Sequence, residues 1–478
     1  MVNNVFFSVL YQAITMISSF ITTPYLSRVL GSAGMGDFVM ADTYTQYFIL
    51  LGGIGLNVYA AREIGYVRDD KTKLKTAFWE LTILRMGTFA VSICLYYLIF
   101  ILGGYRNSIL VKISIINVMA SMFDISWYFI GIENFKEMSI RNAIIKILAV
   151  ILIFTCVKKE NQVWLYALIT YSANLLGQCI MWNGISKDFF REIEISKQDI
   201  LKHFKGTLTI FVSTIMIQVY TLLDRLMLGE MSGNVQVAYY DNAQKLIKAI
   251  TFSLTAGIQA LMPGMANDFI NYNIKKYTDN VYTTFRFVGS LSMPFCFGLI
   301  AVSGIFSEWF YGKNFVGIDN LLSWGAPVII SIGWSCILAY NVLAVLNKQN
   351  YLTLAVGIGA ALDIVINLIF IKEYGAMATT VSTLVAEVSG LIIMFYSSRS
   401  IINFFKILKS SIRYLVFSIV MSIIVYKIGA FLPHNILGTF LQVCCGAGIY
   451  FFCLIITRDI VVKEIYRLIK KKVRETKR

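Results

Sequence analysis

Apolar runs long enough to cross a bilayer recur from one end of the chain to the other. Fourteen segments can be drawn, at roughly 5–27, 36–61, 77–102, 108–131, 139–157, 162–184, 206–229, 235–262, 284–307, 320–346, 351–371, 375–397, 411–431 and 436–457. The pattern predicts an all-α polytopic membrane protein with about fourteen transmembrane helices. Polar residues are frequent inside the segments, so each helix is expected to turn one side to a protein interior or cavity. Pro24, Pro294 and Pro327 fall within them and are expected to bend or break their helices.

A weak internal repeat organises the pattern. TPYLSRVLG followed by GMGDFVMADTYTQYF, near 22–61, resembles LLDRLMLG followed by VAYYDNAQKLIKAI, near 221–262. In each an apolar helix ends in Arg and LG, and an aromatic residue follows with Ala three positions on (Phe38/Ala41, Tyr240/Ala243). The two stretches differ in length by four residues. The repeat predicts two pseudo-symmetric six-helix lobes, 1–184 and 206–402, joined by a cytoplasmic linker at 185–205. Two further helices at 403–457 and a basic tail at 458–478 complete the chain. Parallel repeats of this kind place substrate between the halves.

Composition agrees with the pattern. The 478 residues are 57% hydrophobic with mean hydropathy +0.69, and only 14% are charged; a soluble domain carries about 25%. The net charge of +15 does not point to nucleic acid, because the basic residues sit in short loops and the tail. Of the 42 Lys and Arg, 31 fall on the side of the even-numbered connections and the tail, nine on the other side, and Lys245 and Lys248 lie inside a segment. This asymmetry predicts that both termini are cytoplasmic, with anionic lipid headgroups as contacts. The eight cysteines lie in apolar runs, so no disulfides are expected, and His203 and His434 are too far apart to suggest a zinc site. No cleavable signal is apparent. Every outward connection is short, at most about a dozen residues, which leaves no outer catalytic domain. No nucleophile–base constellation and no G-x-x-x-x-G-K-[ST] segment occur, so the sequence predicts neither an enzyme nor direct ATP coupling.

The stretch 127–177 carries W-F-x-x-G-x-E-x-F-K as Trp127, Phe129, Gly131, Glu133, Phe135 and Lys136. It continues with R-N-x-x-x-K as Arg141, Asn142 and Lys146, and I-F-x-x-V-K as Ile153, Phe154, Val157 and Lys158. It resembles the bacterial polysaccharide repeat-unit flippases of O-antigen and capsule pathways, in the superfamily that also holds MATE antiporters and lipid II flippases. PYLSRVLG, AAREIGYVRDD, VAYYDNAQK and YGAMATTVSTLVAE look similar too. The resemblance implies a two-lobed transporter that works by alternating access. Its cargo would be an undecaprenyl-diphosphate-linked oligosaccharide, moved from the inner to the outer leaflet. It implies a cavity lined by helices 1, 2, 7 and 8, no cofactor beyond a coupling ion (H+ or Na+), other polysaccharide assembly proteins as partners, and function as a monomer. A small-molecule or cation antiporter, and a lipid II or teichoic-type precursor flippase, are the neighbouring readings.

Candidate residues follow from charge inside the membrane. Lys245 lies about 15 Å and Lys248 about 20 Å from the outer end of their helix, and at i,i+3 they share a face. An intramembrane charge costs about 2.5–3.5 kcal/mol on insertion scales, so it usually faces an interior or a wetted cavity. Two ammonium groups there suit a diphosphate; equally, Asp241 and Lys245 can form an i,i+4 ion pair while Lys248 snorkels. Arg28 and Arg225 read as an outer cationic ring or as interfacial anchors. Arg62 and Arg85 flank an inner loop, where they can meet incoming diphosphate or simply set topology. Asp42 suits ion coupling or a structural pairing with a nearby arginine, and Asp241 and Asp124 join it as embedded acids. Pro24 is a hinge candidate or a static kink. No metal site is expected.

Overall fold

The computed structural model describes residues 2–104, 108–190, 195–255 and 257–459. The expected basic tail therefore lies almost wholly outside the described residues, as does part of the 185–205 linker. Among the described residues there is no strand. The first compact unit, Met1–Ala238, contains α1 (Val2–Val29), α2 (Gly31–Gly53), α3 (Leu56–Val67), α4 (Lys71–Tyr96), α5 (Ile109–Met122), α6 (Ser126–Gly131), α7 (Phe135–Cys156), α8 (Val163–Met181) and α9 (Lys197–Ser232). Helix α10 (Asn234–Thr255) begins in it and continues into the second unit, Tyr239–Arg478. That unit adds α11 (Ile258–Ile270), α12 (Ile274–Phe310), α13 (Ile318–Gly325), α14 (Val328–Cys336), α15 (Gln349–Tyr374), α16 (Ala376–Ser398), α17 (Phe404–Gly429) and α18 (Ile436–Ile456).

Ten helical stretches of the described residues are long and apolar enough to cross a membrane. They correspond to the third to sixth and ninth to fourteenth expected spans. The polarity of α2 and α10 explains why those two are not among them. Helix α2 carries Asp37, Asp42, Gln46 and five glycines, and α10 carries Asp241, Lys245 and Lys248 within three turns.

Breaks in the helices follow local chemistry. Helices α2 and α3 are separated by Ile54 (φ 35°) and Gly55 (φ 74°), both left-handed. Gly55 is required twice over, because a Cβ there would lie 2.9 Å from the backbone nitrogen of Phe211 on α9. Helix α4 starts where the Asp70 carboxylate accepts from the amides of Thr72 (3.1 Å) and Lys73 (3.2 Å); these contacts and the Lys73 ammonium hold the Asp70 pKa below its ordinary value. Pro24 and Pro294 sit inside continuous helices, and Pro327 caps α14 at the break after α13.

The first unit's core gathers Phe78, Leu81, Trp127 and Phe129 at one end of α4 and α6. Helix α9 packs with this unit, against α2, α3 and α4. Its start is held by His203, whose Nδ1 is 2.9 Å from the Tyr59 hydroxyl and whose Nε2 is 3.2 Å from buried Glu80. The boundary between compact units consequently falls inside α10, whereas the sequence pattern places a linker at 185–205. In the second unit, α17 and α18 add Tyr414, Met421, Val425 and Tyr450 to a core built on α12.

Candidate functional site

Helix α10 divides cleanly. Val237, Tyr240, Asp241, Ala243, Gln244 and Ile247 are buried, while Lys245 and Lys248 are exposed. Lys245 Nζ reaches Asp241 Oδ2 at 2.6 Å; the ammonium side chain is 49% exposed and the carboxylate 1%. The i,i+4 pair anticipated from the sequence therefore forms, and both lysines remain exposed. Asp241 anchors Lys245 from behind. Next to it the Asn242 carbonyl accepts from the buried Tyr311 hydroxyl at 3.1 Å. Tyr240 bonds Thr383 at 3.0 Å.

Arg28 is exposed in the last turn of α1, with Nη1 donating to the Pro24 carbonyl at 2.5 Å. Ser27 Oγ donates to the same carbonyl at 3.1 Å. Arg225 occupies a different level. Helix α9 does not stop near Gly229, as the LG pattern suggests, but runs to Ser232 and turns at Gly233 (φ 96°). Residues 226–232, Gly229 included, stay helical. Gly31 (φ 67°) and Gly233 are thus the corresponding turns, and Arg225 lies about 10 Å before its helix end, at 1.5 Å per residue. The four-residue difference between the repeats is this extra turn of α9. Asp42 accepts a hydrogen bond from the Tyr171 hydroxyl on α8 at 3.3 Å.

Arg85 and Asp124 come together, but away from open space. Arg85 is 3% exposed; Nε donates to the Ser121 carbonyl at 2.9 Å, Nη1 to Asn57 Oδ1 at 2.6 Å and Nη2 to Asp124 Oδ2 at 3.4 Å. Its guanidinium also lies 4.9 Å from the Phe89 ring. Asp124 Oδ1 accepts the Ser126 amide at 2.8 Å, and the Trp127 indole donates to the Asp124 carbonyl at 3.1 Å. These contacts knit α3, α4, α5 and α6 together. Removing one partner of a buried pair costs about 3–5 kcal/mol. Arg85→Ala should therefore lose stability of that order in denaturant titration, whereas a surface arginine would lose almost none. Arg62 is the accessible one of the inner pair, 3.3 Å from Glu63 and 5.3 Å over the Tyr59 ring.

The motif at 127–136 has a structural role of the same kind. Trp127 and Phe129 are fully buried. A Cβ on Gly131 would lie 2.5 Å from Ile64, so glycine alone lets α6 approach α3. Glu133 (φ 58°) pairs with Arg68 at 2.6 Å.

Three arrangements were not singled out from the sequence. At the start of α2, Asp37 Oδ1 accepts from Asn234 Nδ2 at 2.7 Å, and Tyr44 donates to Glu230. A Cβ on Gly36 would lie 2.0 Å from the Asn234 carbonyl oxygen. The beginning of α2 is thus pressed onto the α9–α10 connection. In the second unit, Asn367 donates to buried Asp363 at 3.3 Å and accepts from Ser382 at 3.1 Å. Also in this unit, α12, α17 and α18 enclose an apolar groove of about 440 Å³ that reaches Ile250 of α10. Of its few polar groups, Gln442 Nε2 donates to the Val425 carbonyl at 3.3 Å and Tyr450 to the Ser290 carbonyl at 2.8 Å, while Gln442 Oε1 is buried with no hydrogen-bond partner in the protein. Among the described residues no cluster of three or more His, Cys, Asp or Glu could hold a metal.

Comparison with known proteins places this architecture. The chain is 24% identical over 401 residues to a Shigella dysenteriae protein assigned by name as an O-antigen transporter, covering 83% of this chain and 98% of that one. A protein of Escherichia coli (strain K12) with the same assignment is 21% identical over 275 residues, covering 57% of this chain and 66% of its own length, just under two thirds. In fold, the chain is similar to the lipid II flippase MurJ in an inward closed conformation (TM-score 0.77, 15% identity, 95% of this chain and 100% of that one). It is also similar to an inward-facing multidrug resistance MATE transporter of the MOP superfamily (TM-score 0.63, 12% identity, 84% and 98%). The family model described as polysaccharide biosynthesis protein matches residues 1–268, more than half the chain. This multi-pass membrane protein belongs to the polysaccharide biosynthesis protein family.

Proposed function

We propose that the chain translocates undecaprenyl-diphosphate-linked oligosaccharide repeat units from the inner to the outer leaflet of a bacterial cytoplasmic membrane, by alternating access coupled to an ion. The observation that carries this reading is in the second unit. Helix α10 presents two ammonium groups, Lys245 and Lys248, and two residues beyond Lys248 contributes Ile250 to the apolar groove. A polyprenyl diphosphate has this composition: a dianionic headgroup joined to a long hydrocarbon. The lysines act as point charges for the diphosphate. The groove, lined mostly by apolar side chains, takes methyl-branched chain.

In this reading α1, α2, α9 and α10 also cross the membrane, which brings the spans to fourteen. Their polarity reflects a wetted cavity on one side. The Lys and Arg asymmetry puts both termini in the cytoplasm. Asp42 is the candidate coupling group, because protonation or a bound cation removes the desolvation cost of its carboxylate. Arg28, Arg62 and Arg225 supply further cations along the path, and the carbonyl shared by Ser27 and Arg28 makes Pro24 the candidate hinge. The relatives' names support the cargo class.

The groove gives a direct test. Ala447 lines it. In reconstituted vesicles, Ala447→Trp should slow translocation of full-length polyprenyl-diphosphate oligosaccharide by about tenfold or more, the effect of losing one well-packed apolar segment. The same variant should leave a short-chain analogue nearly unaffected. Equal slowing of both substrates would mean that the groove does not hold the tail.

A further inference from the structure

In the second unit, α12 carries an arginine inside a stretch long and apolar enough to cross a membrane. Arg286 lies where the polar first part of α12, with Lys275, Lys276 and Asp279, gives way to an apolar run. Among the described residues no hydrogen bond or ion pair reaches its guanidinium. Its Nε is enclosed and has no partner, whereas Nη1 and Nη2 are not enclosed. A charge at such a position ordinarily has a partner or a wetted face. The acids of this region are elsewhere. Helix α17 has none, and α12 has only Asp279 and Glu308. Asp279 is exposed near the start of α12. Glu308, at the other end, is 2.6 Å from His434. Asp459, just beyond α18, is held by Arg413 at 2.8 Å and by the Tyr414 hydroxyl at 3.0 Å.

Two contacts show which side of α12 Arg286 occupies. One turn earlier, the Tyr282 hydroxyl accepts from the Asn403 amide at 2.9 Å, and Lys406 Nζ lies 4.1 Å from the centre of the Tyr282 ring. Three residues later, a Cβ on Gly289 would lie 3.5 Å from Ser411 Oγ. Both neighbours are on α17. Residues 282, 286 and 289 share one side of a helix, so Arg286 borders the seam between α12 and α17. Lys406 and Arg413, two turns apart on α17, border the same seam. The Tyr282 hydroxyl accepts in its bond to Asn403 and keeps its proton to donate. At this level α17 also turns Phe405, Leu408 and Ile412 outward, all exposed.

The seam thus gathers three cations, Arg286, Lys406 and Arg413, against one carboxylate, Asp459, beside exposed apolar side chains. A guanidinium offers a fork of donors that matches two oxygens of a phosphate, and an ammonium adds a point charge. A zwitterionic headgroup would bring a further cation into a site already in positive surplus; an anionic one would not. We propose that the seam between α12 and α17 binds one anionic membrane phospholipid through its phosphate, with Arg286 and Lys406 as donors, on the side that the Lys and Arg asymmetry assigns to the cytoplasm. The lipid is a resident of the protein, and the inference stands whether or not the chain moves oligosaccharide.

The test uses the delipidated full chain in detergent, with dioleoyl phosphatidylglycerol and dioleoyl phosphatidylcholine as probes, read by native mass spectrometry and thermal unfolding. The wild type should retain one phosphatidylglycerol about tenfold more tightly than phosphatidylcholine, the lower end of what a hydrogen bond to a charged group supplies. Arg286→Gln should remove that preference, and Arg286→Lys, which keeps the charge without the fork, should keep part of it. Arg286 bonds to nothing in the protein, so Arg286→Gln should unfold at the wild-type temperature without lipid and lack the rise that phosphatidylglycerol gives the wild type. Lys427→Gln, at the other end of α17, should bind as the wild type does. Equal retention of both lipids by the wild type, or a preference that survives Arg286→Gln, would overturn the proposal. So would a lower lipid-free unfolding temperature in Arg286→Gln, which would mean that the arginine serves the protein itself. Undecaprenyl diphosphate added at equal concentration should leave phosphatidylglycerol bound; its displacement would give the seam to the cargo and overturn the resident lipid.

Discussion

Vesicles carrying Lys245→Ala/Lys248→Ala should translocate diphosphate-linked oligosaccharide roughly a hundredfold more slowly than wild type. A hydrogen bond to a charged group is worth about 1.5–3 kcal/mol, and two of them together exceed the roughly 2.7 kcal/mol that a hundredfold requires. The geometry supports a direct effect, because both side chains are exposed on α10 and neither contributes to the core. One complication is built into the site. Lys245 neutralises Asp241, which is 1% exposed, and its removal leaves a buried carboxylate without its ammonium. Adding Asp241→Asn removes that charge as well. If the triple variant regains wild-type rates, the defect came from the stranded carboxylate and the lysines do not handle cargo. If the triple variant stays slow while folding normally, the lysines hold the diphosphate.

Joining Asp37 to Asn234 should stop transport altogether. In a background without the eight native cysteines, Asp37→Cys/Asn234→Cys treated with a short bifunctional thiol reagent should fall to the rate of protein-free vesicles, and cleavage of the linker should restore it. The native side chains are 2.7 Å apart, Tyr44 and Glu230 bond alongside, and Gly36 leaves no room for a side chain against Asn234. Contact this close at the beginning of α2 must open if cargo is to pass between α2 and the α9–α10 connection, and alternating access demands such an opening. Full activity in the linked protein would mean that the contact is permanent structure and that the path lies elsewhere. Gly36→Leu gives the converse expectation: the contact cannot form, and the protein is biased away from the arrangement seen here.

Hydrophobic patterning carried the helical membrane architecture into view. Helices α2 and α10, drawn as spans from the pattern, are more polar than the ten stretches long and apolar enough to cross a membrane. The extra turn of α9 was present as a four-residue mismatch between the repeats. What sets it is the left-handed turn at Gly233, and a glycine at 229 in the LG pattern is an equally good helix end by sequence. Arg85 looks like any inner-loop arginine. Its burial depends on Asn57, Ser121 and Asp124, which lie 28 to 39 residues away. The W-F-x-x-G-x-E segment pointed to the family, yet its residues serve packing at Gly131 and an ion pair at Glu133.

The most direct measurement is the pool of lipid-linked oligosaccharide in cells with and without this chain, resolved by membrane side. The account predicts that deletion accumulates undecaprenyl-diphosphate oligosaccharide on the cytoplasmic side and that the wild-type chain, restored at native level, clears it. No accumulation in the deletion, with surface polysaccharide unchanged, would contradict the proposed cargo and leave a small-molecule antiporter as the better reading of the fold.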